Sequence, residues 1–489
     1  MQPVLPPEAL ILAIDVGSSS VRAMIFDRQG QALDGVFVQA RYSPGTTPDG
    51  GSTIDPGAMC SRIFECIDAA LRQAGPRAGR IALVAMDTLV GNLMGIDARG
   101  QPTTSIYTWA DVRGANLGES WKARLEVAGL SASDYTQRTG CRVHPSYWPL
   151  RLLWLQAAEP EQFQRTAYWL SIGEYALYQL FGERWVSLST ASWSGLFNRH
   201  RLDWDDLVLA TLPIQRQQLS LPSSKPFQGL SGEWAGRWPA LKDALWLPSI
   251  GDGVASNVGA GCTTPHHVAL SVGTSGALRV IVPGTPEQVP DGLFAYRVDA
   301  ARSLIGGPLS NAGNLYAWMQ RVLNVDGRSS IGEAVERMEP DSHGLTILPF
   351  LAGERAPGWN DTARAVFMGM TFDTGPEHLI RAGLEAIAYR FYQVAQRLKP
   401  LLPADAVYVA SGAPVLNSPT WMQIIADVLG APVFATTEAE TTIRGTVFLA
   451  TGDEPQARLG QRYEPDVAHH AIYQRAIERQ TALYHRLFG

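Results

Sequence analysis

The sequence predicts an α/β protein built from two similar domains that face each other across a central cleft. Three observations carry this expectation. At 489 residues the chain is too long for a single hydrophobic core. The run Ala13-Ile-Asp-Val-Gly-Ser-Ser-Ser-Val21 lies beside Ala269-Leu-Ser-Val-Gly-Thr-Ser-Gly-Ala277 almost residue for residue, and a repeat at about 250 residues implies two copies of one fold. Between the copies stands Leu247-Pro-Ser-Ile-Gly-Asp-Gly-Val-Ala-Ser-Asn257. There an apolar strand runs into Asp252, an acid flanked by glycines, and then into a helix start rich in small residues. A carboxylate between two glycines has little bulk around it, so a substrate can approach it closely. The plainer reading of the same residues is a turn.

Composition narrows the function classes. A hydrophobic content of 46% with 18% charged residues is that of a globular protein. A net charge of −6, with both signs well mixed, gives no basic face for a nucleic acid. Cys60, Cys66, Cys141 and Cys262 do not have metal-site spacing and read as reduced thiols of a cytoplasmic enzyme. Residues 1–10 lack the basic start of a secretion signal, and no apolar run approaches the ~20 residues of a membrane span. The expectation is a soluble, cytoplasmic protein with no nucleic-acid or membrane partner.

In chain order, Leu10–Ile14 and Val21–Phe26 read as strands joined by Asp15-Val-Gly-Ser-Ser-Ser20, and a third strand begins at Gln31. The backbone N–H groups of Gly17, Ser18, Ser19 and Ser20 can face phosphate oxygens, because small side chains leave them open. Asp15 can hold a Mg²⁺ through water, since that ion keeps much of its hydration. No Gly-Lys-Ser/Thr follows, so this is not a Walker loop, and alone the motif equally describes a plain hairpin. The second copy repeats the turn as Gly273, Thr274 and Ser275, with Ser271 where the first copy has Asp15. A nucleotide is expected in the cleft between the two turns.

The segments between follow the same grammar. Ile81–Met86 and Asn92–Ile96 read as strands, and Asp97–Gly100 as a hairpin-type turn. Thr108-Trp-Ala-Asp-Val-Arg113 sets an aromatic plate, Trp109, beside Asp111 and Arg113. A sugar site needs an apolar face for carbon and charged forks for hydroxyls, although a helix cap at Asp111 with Arg113 solvated explains the same residues. His144 precedes the helix Leu150–Leu155 and either lines a sugar pocket or caps that helix. Trp169–Phe181 reads as a largely buried helix. Gly306–Asn314 reads as a glycine-rich turn whose following helix, Leu315–Val322, can receive phosphate at its N-terminus. In Gly353-Glu-Arg-Ala-Pro357, Glu354 and Arg355 are expected to pair with each other, or else to order the nucleotide side of the cleft. Glu377–Leu398 reads as an amphipathic helix, and Val407–Ser411 as a strand running into Gly412-Ala413.

Six segments in order now carry a resemblance: Ile14-Asp-Val-Gly-Ser-Ser-Ser20, Thr108–Arg113, Gly251-Asp-Gly253, Ser271-Val-Gly-Thr-Ser-Gly276, Gly353–Pro357, and Ala410–Ala413 with Asn417–Asp427. Together they resemble the FGGY carbohydrate kinases, members of the actin-like, ribonuclease-H-like ATPases. The resemblance implies two ribonuclease-H-like domains, 1–249 binding sugar and 250–489 binding ATP. It implies Asp252 as general base and a Mg²⁺ at Asp15. It implies Trp109, Asp111, Arg113 and His144 around the sugar. By the same resemblance Gly412 and Ala413 hold the adenosine part of ATP, with Asn417 or Ser418 at the base or ribose, and Ser192–Asn198 meets the substrate cleft. A small sugar or sugar acid is the implied partner, and a homodimer is compatible with it. Two positions depart from the family: Val90-Gly91 stands where a Met-His is common, and Ala363-Arg-Ala365 where Ala-Arg-Gly is common. The Trp109 loop and Gly353–Asn360 look more like the gluconate kinases than the glycerol kinases, with xylulose kinases as the runner-up. A sugar acid needs a cation, for which Arg113 or Arg142 can serve. A non-catalytic sugar-binding protein and an actin-like ATPase acting on protein partners are the readings from other classes. The first gives no reason for the acid, and the second gives none for the Thr108–Arg113 loop.

Overall fold

A computed structural model describes residues 5–325 and 329–488. In the first half, β1 (Leu10–Val16), β2 (Ser20–Phe26) and β3 (Ala32–Arg41) form an antiparallel meander. Strand β4 (Ile81–Thr88) lies parallel to β1 with Asp15 opposite Asp87. β5 (Leu245–Trp246) and β6 (Ile250–Gly251) extend this sheet along β4, in the order β5-β4-β1-β2-β3 with β6 beside the end of β4. β1 is buried along its whole length and reads as a near-continuous apolar run, as a strand covered on both faces must. On one face the covering helices are α1 (Pro56–Ala74) and α2 (Ile172–Phe181), and the other face packs against Ile443, Val447 and Ala450 of the second half. Asp55 caps α1 by accepting from the Ala58 amide at 2.7 Å, with a proline at the first helical position.

After β6 the chain enters α3 (Asp252–Gly259), then a second sheet. Its strands are β7 (His267–Val272), β8 (Gly276–Pro283), β9 (Phe294–Arg297), β10 (Arg302–Leu309), β11 (Val407–Ser411), β12 (Val433–Thr436) and β13 (Leu459–Tyr463). Their order is β9-β10-β8-β7-β11-β12-β13. Here β7, β8 and β10 repeat the antiparallel meander and β11 runs parallel to β7, as β4 does to β1. The duplicated turn thus occupies the same place in both mixed sheets, between the first two strands. It is closed by Gly17 N donating to Ser20 O at 3.0 Å and by Gly273 N donating to Ser275 O at 2.9 Å. Helices α4 (Gly313–Val322), α5 (Pro376–Leu398), α6 (Pro419–Leu429), α7 (Thr441–Thr451) and α8 (Val467–Phe488) complete the second half. Each sheet has its own apolar core. A third cluster, rich in aromatics, joins the halves, with Trp193 stacked on Tyr296 at 3.8 Å between ring centroids. No helix among the described residues is long and apolar enough to cross a membrane.

Two segments differ from the sequence expectation. Trp169–Phe181 is not one helix: Tyr168–Leu170 is a strand pairing with Met94–Ile96, and α2 starts only after Ser171, which forms a capping box with Glu174. Gly306–Leu309 is the end of β10 rather than a turn. A Cβ on Gly306 would lie 2.2 Å from Leu278 O, and one on Gly307 would lie 2.7 Å from Ala356 Cβ. These glycines mark close approach of neighbours, not reversal of the chain.

The halves are joined where α3 crosses α7. A Cβ on Gly259 would lie 1.7 Å from Thr441 O, and one on Gly445 would lie 1.8 Å from Ala255 O. The helices therefore touch backbone to backbone, and no side chain fits between them without moving one helix. Gly445→Ala is expected to cost more than about 2 kcal/mol, as overpacking of a tight contact does. Gly236→Ala, in a helix with nothing within 4 Å of the added methyl, is expected to cost nothing or to stabilise. Urea midpoints of the two variants measure the difference. Equal, small shifts would mean that the crossing tolerates a methyl group.

Candidate active site

β1, β4 and β6 all end at the cleft, and each delivers an acid there. Asp15 is the sixth residue of β1, Asp87 the seventh of β4, and Asp252 follows β6 as the first residue of α3. A crevice at the carboxyl ends of neighbouring strands is where open α/β sheets bind ligands.

Asp252 borders two cavities at once. One, of about 150 Å³, also meets Trp109, Gly91, Trp193 and Arg355. The other, of about 560 Å³, meets Gly17, Gly273, Ser275, Gly412, Ala413 and Asn417. Burial pushes the Asp252 carboxyl up to about 7, and the charge of Asp15 adds to this. Arg279 and the amides of Gly253 and Val90 oppose the shift. The result is a carboxylate that gains and loses a proton near neutrality, as a general base must.

Asp15 is buried and paired with Arg22, which reaches on to Glu440 at 2.5 Å. Burial raises the Asp15 carboxyl, and Arg22 pulls the other way. Asp87, which sequence reasoning passed over, is fully buried. Its Oδ2 accepts from Thr446 Oγ1 of α7 at 2.5 Å, its Oδ1 has no hydrogen-bond partner among the described residues, and it stands just behind the cavities without lining either. Burial and the neighbouring Asp15 hold the Asp87 carboxyl well above the ordinary range. Two carboxylates in register on adjacent strands, one with a vacant oxygen, fit a shared divalent cation. The signal in the sequence was an acid ending an apolar strand, the same signal that marked Asp15. A second acidic group, Asp341, His343 and Glu385, is already committed. Arg479 pairs with Asp341 at 2.5 Å, and Arg381 and His343 pair with Glu385 at 2.6 and 2.9 Å.

Gly17 of the first turn and Gly273 of the second line the same cavity. Gly412 is required by its backbone: φ is +102°, and a Cβ would lie 2.0 Å from Val272 O. Ser275 borders both cavities, while other residues of the turns point elsewhere. Ser18 lies at the smaller cavity, where Trp109 Nε1 donates to its Oγ at 3.4 Å. The Ser19 carbonyl accepts from Tyr42 N at 2.9 Å, and Ser20 belongs to β2. The Thr274 carbonyl accepts from Asn314 N at 3.0 Å. Ser418 caps α6, accepting from Trp421 N at 3.3 Å, and opens on a neighbouring cavity. The start of α4, expected to be free for phosphate, is occupied. Its Gly313 and Asn314 amides donate to the Gly273 and Thr274 carbonyls, each at 3.0 Å.

Of the residues expected around the sugar, Trp109 and Asp252 line the smaller cavity. Asp111 is buried, accepts from Ser52 N at 2.9 Å and pairs with Arg113 at 2.7 Å. Arg113 in turn lies 4.0 Å over the Trp154 ring, so the pair braces the loop that presents Trp109. His144 sits behind the cavity wall. Its Nε2 lies 2.6 Å from Asp361 Oδ1, and its Nδ1 accepts from Ser146 N at 3.1 Å. Arg142 is engaged by Leu293 O, Pro290 O and Asp291, at 3.1, 3.1 and 3.2 Å. Glu354 pairs with Arg390 and accepts from Tyr484 at 2.6 Å instead of meeting Arg355. Arg355 turns to the smaller cavity, 4.6 Å over the Trp109 ring. Arg279 and Tyr296 also line it and were not anticipated. Arg279 was legible as the one charge in the otherwise apolar β8. Val90 and Gly91 form part of the wall, and at Gly91 (φ +66°) a Cβ would lie 2.9 Å from Ser146 O. No side chain projects from that point.

Comparison with known proteins bears on the family and the fold. A family model for the FGGY family of carbohydrate kinases, N-terminal domain, matches residues 10–259, and the C-terminal domain model matches residues 268–452. A gluconokinase of Bacillus subtilis (strain 168) is 29% identical over 90% of this chain and 88% of its own. The crystal structure of a gluconate kinase from Lactobacillus acidophilus aligns at TM-score 0.88 and 26% identity, covering 98% of each chain. A ligand-bound xylulose kinase from the same organism aligns at TM-score 0.89 and 26% identity, again over 98% of each. With both domains of the family matched in order and without overlap, the chain belongs to the FGGY family of carbohydrate kinases.

Proposed function

We propose that this protein transfers the γ-phosphate of ATP to a hydroxyl of a small sugar acid, gluconate foremost. A pentulose such as xylulose is the alternative acceptor. The observation that carries the reading is Asp252, which borders both cavities and so stands between acceptor and donor. In this reading the unit 250–489 brings most of the ATP site, while the sugar site draws on both units, with Trp109 from the first and Asp252, Arg279 and Arg355 from the second. Four buried, free cysteines fit a reducing cytoplasm.

The sugar enters the smaller cavity with its carbon chain against Trp109, and Asp252 takes the proton of the acceptor hydroxyl. The freed oxygen attacks the γ-phosphorus, the bond to the β-phosphate oxygen breaks, and ADP remains in the larger cavity beside Gly273, Gly412, Ala413 and Asn417. Amides of the Gly17 and Gly273 turns lie where charge develops on the transferred group. Asp15 and Asp87 are the residues that would hold Mg²⁺, which supplies charge neutralisation to the phosphates when bound. A sugar sensor needs no base with a carboxyl near 7, and an actin-like ATPase would turn over without sugar. ADP release across a panel of sugars, polyols and sugar acids separates these classes. No stimulation by any of them would end the kinase reading.

Asp252→Asn keeps the shape of the side chain but cannot take a proton. Its kcat is expected to fall by about 10²–10⁴-fold, while calorimetry finds sugar and ATP still bound. A variant with nearly full kcat would remove Asp252 from the chemistry. In the native enzyme the base works only when ionised. Log kcat/KM should therefore fall with unit slope as pH drops below about 7, the value to which burial and Asp15 raise Asp252. A flat profile from pH 8 to pH 5 would contradict this assignment. Asp15→Ala and Asp87→Asn should each raise the Mg²⁺ concentration for half-maximal activity, by about tenfold or more. Both should also weaken Mn²⁺ binding in the presence of ADP, read by electron paramagnetic resonance. Unchanged metal binding would leave the two acids with a structural role.

A further inference from the structure

We propose that Arg279 and Arg355 together form the subsite that holds the substrate's carboxylate, and so select a sugar acid over a neutral sugar or polyol of the same length. The assignment deepens the reading above and rests on it. Both guanidinium groups border the same cavity of about 150 Å³ as Asp252. The Nε of each is buried and has no partner. Arg355 makes one hydrogen bond, from Nη2 to Leu309 O at 3.2 Å. Arg279 has no hydrogen-bond or ion-pair partner among the described residues, and Asp252 is the acid whose charge acts on it.

A buried Nε without a hydrogen-bond partner recurs among the described residues, at Arg22, Arg28, Arg151, Arg390 and Arg444, but the rest of those side chains is engaged. Buried Arg381 and Arg390 pair with Glu385 and Glu354. Buried Arg199 and Arg297 end on backbone carbonyls. Arg151 also has unpartnered nitrogens, but it donates to Gly91 O from behind the wall and does not line the cavity. An unpaired buried charge is costly, and two of like sign side by side are costlier. Burial lowers Arg355 to about 10, with Arg279 adding to the same direction, which places the two within electrical reach of each other. One aspartate cannot balance both and still be free to accept a proton. An anionic ligand group supplies the missing charge, and a carboxylate matches the planar fork of a guanidinium. The Trp109 ring lies beneath the Arg355 guanidinium, 4.6 Å from its centre, and favours its charge there. Arg113 and Arg142, the cations expected from the sequence, are engaged elsewhere.

Arg279 also borders the larger cavity, so its loss would mix effects on sugar and on nucleotide. Arg355 borders the smaller one, and the test is made there. D-Gluconate and D-glucitol share a six-carbon chain and differ at one end, carboxylate against hydroxymethyl. Arg355→Gln should lower the ratio of kcat/KM for gluconate over glucitol by about 100-fold, as removal of one partner of a buried charge pair does. It should weaken gluconate binding, measured by calorimetry without nucleotide, by a similar factor. Arg355→Lys keeps the charge and loses the fork, and should recover part of the ratio. If the native enzyme phosphorylates gluconate and Arg355→Gln leaves the ratio within about threefold, the subsite is overturned while the kinase stands. If the native enzyme phosphorylates neutral sugars and no sugar acid, the sugar-acid reading fails and the subsite with it. If thermal melting shows Arg355→Gln to be unfolded, Arg355→Lys decides: an unchanged ratio there overturns the subsite.

Discussion

The glycine contacts between α3 and α7 set the geometry of everything else. Because Gly259 and Gly445 bring backbone onto backbone, the two helices have a single depth at which they can cross. α3 carries Asp252 at its first position, and α7 packs on β1 and β4, the strands that carry Asp15 and Asp87. Thr446, one residue after Gly445, reaches Asp87 from α7. One helix crossing thus fixes three acids that come from 237 residues of intervening chain, counted from Asp15 to Asp252. Arg444 adds a hydrogen bond to Gly259 O at 3.0 Å and so holds the crossing from the other side.

What the crossing brings together repels itself. Residues opposite each other on neighbouring strands stand about 5 Å apart, and two unit charges at that distance repel by roughly 3 kcal/mol at an effective dielectric of about 20. Arg22 relieves this for Asp15, and Thr446 gives Asp87 one hydrogen bond, but Asp87 Oδ1 is left bare. Asp252 gains from the start of α3, where a helix N-terminus returns about 0.3–1 kcal/mol to an anion. Burial still wins there and lifts the carboxyl to about 7. The floor of the cleft therefore brings three acids to Arg22, with Arg279 on the border it shares with the smaller cavity, where Arg279 and Arg355 are short of acid. Opposite imbalances on two sides of Asp252 are what a metal–nucleotide on one side and an anionic acceptor on the other would correct.

Much of the fold was legible because it is local or repeated. The duplicated turn, the apolar runs of β1 and β4, and Asp252 between glycines each say in a few residues where they sit. Site residues were less legible, for a physical reason. Asp111 and Arg113 have the composition of a sugar loop, but their charges satisfy each other two residues apart and leave only Trp109 to face the cavity. His144 Nε2 lies against Asp361 Oδ1 across the two halves, a pairing that no spacing reveals. Glu354 and Arg355 are adjacent in sequence, yet their side chains leave the loop in different directions, one to Arg390 and one to the cavity. Glycines misled where they serve close packing, as in Gly306 and Gly307, and informed where they sit at positive φ, as in Gly412.

The two margins of the cleft are held by different forces, and that difference bears on turnover. At the crossing the contact is backbone on backbone and leaves no slack. At the opposite margin the halves are joined by the aromatic cluster around Trp193 and Tyr296, by a backbone contact of Gly140 with Ala295, and by side chains of the first reaching main-chain atoms of the second. Gln137 bonds both N and O of Val289, at 2.7 and 3.2 Å, and Arg142 bonds Leu293 O and Pro290 O. Each such bond contributes a net ~0.5–1.5 kcal/mol beside the aromatic packing. A kinase needs both states: closed, to keep water from the γ-phosphate, and open, to exchange ADP. Because the crossing, and not that margin, sets Asp15, Asp87 and Asp252, exchange of ADP at the margin would leave their alignment intact.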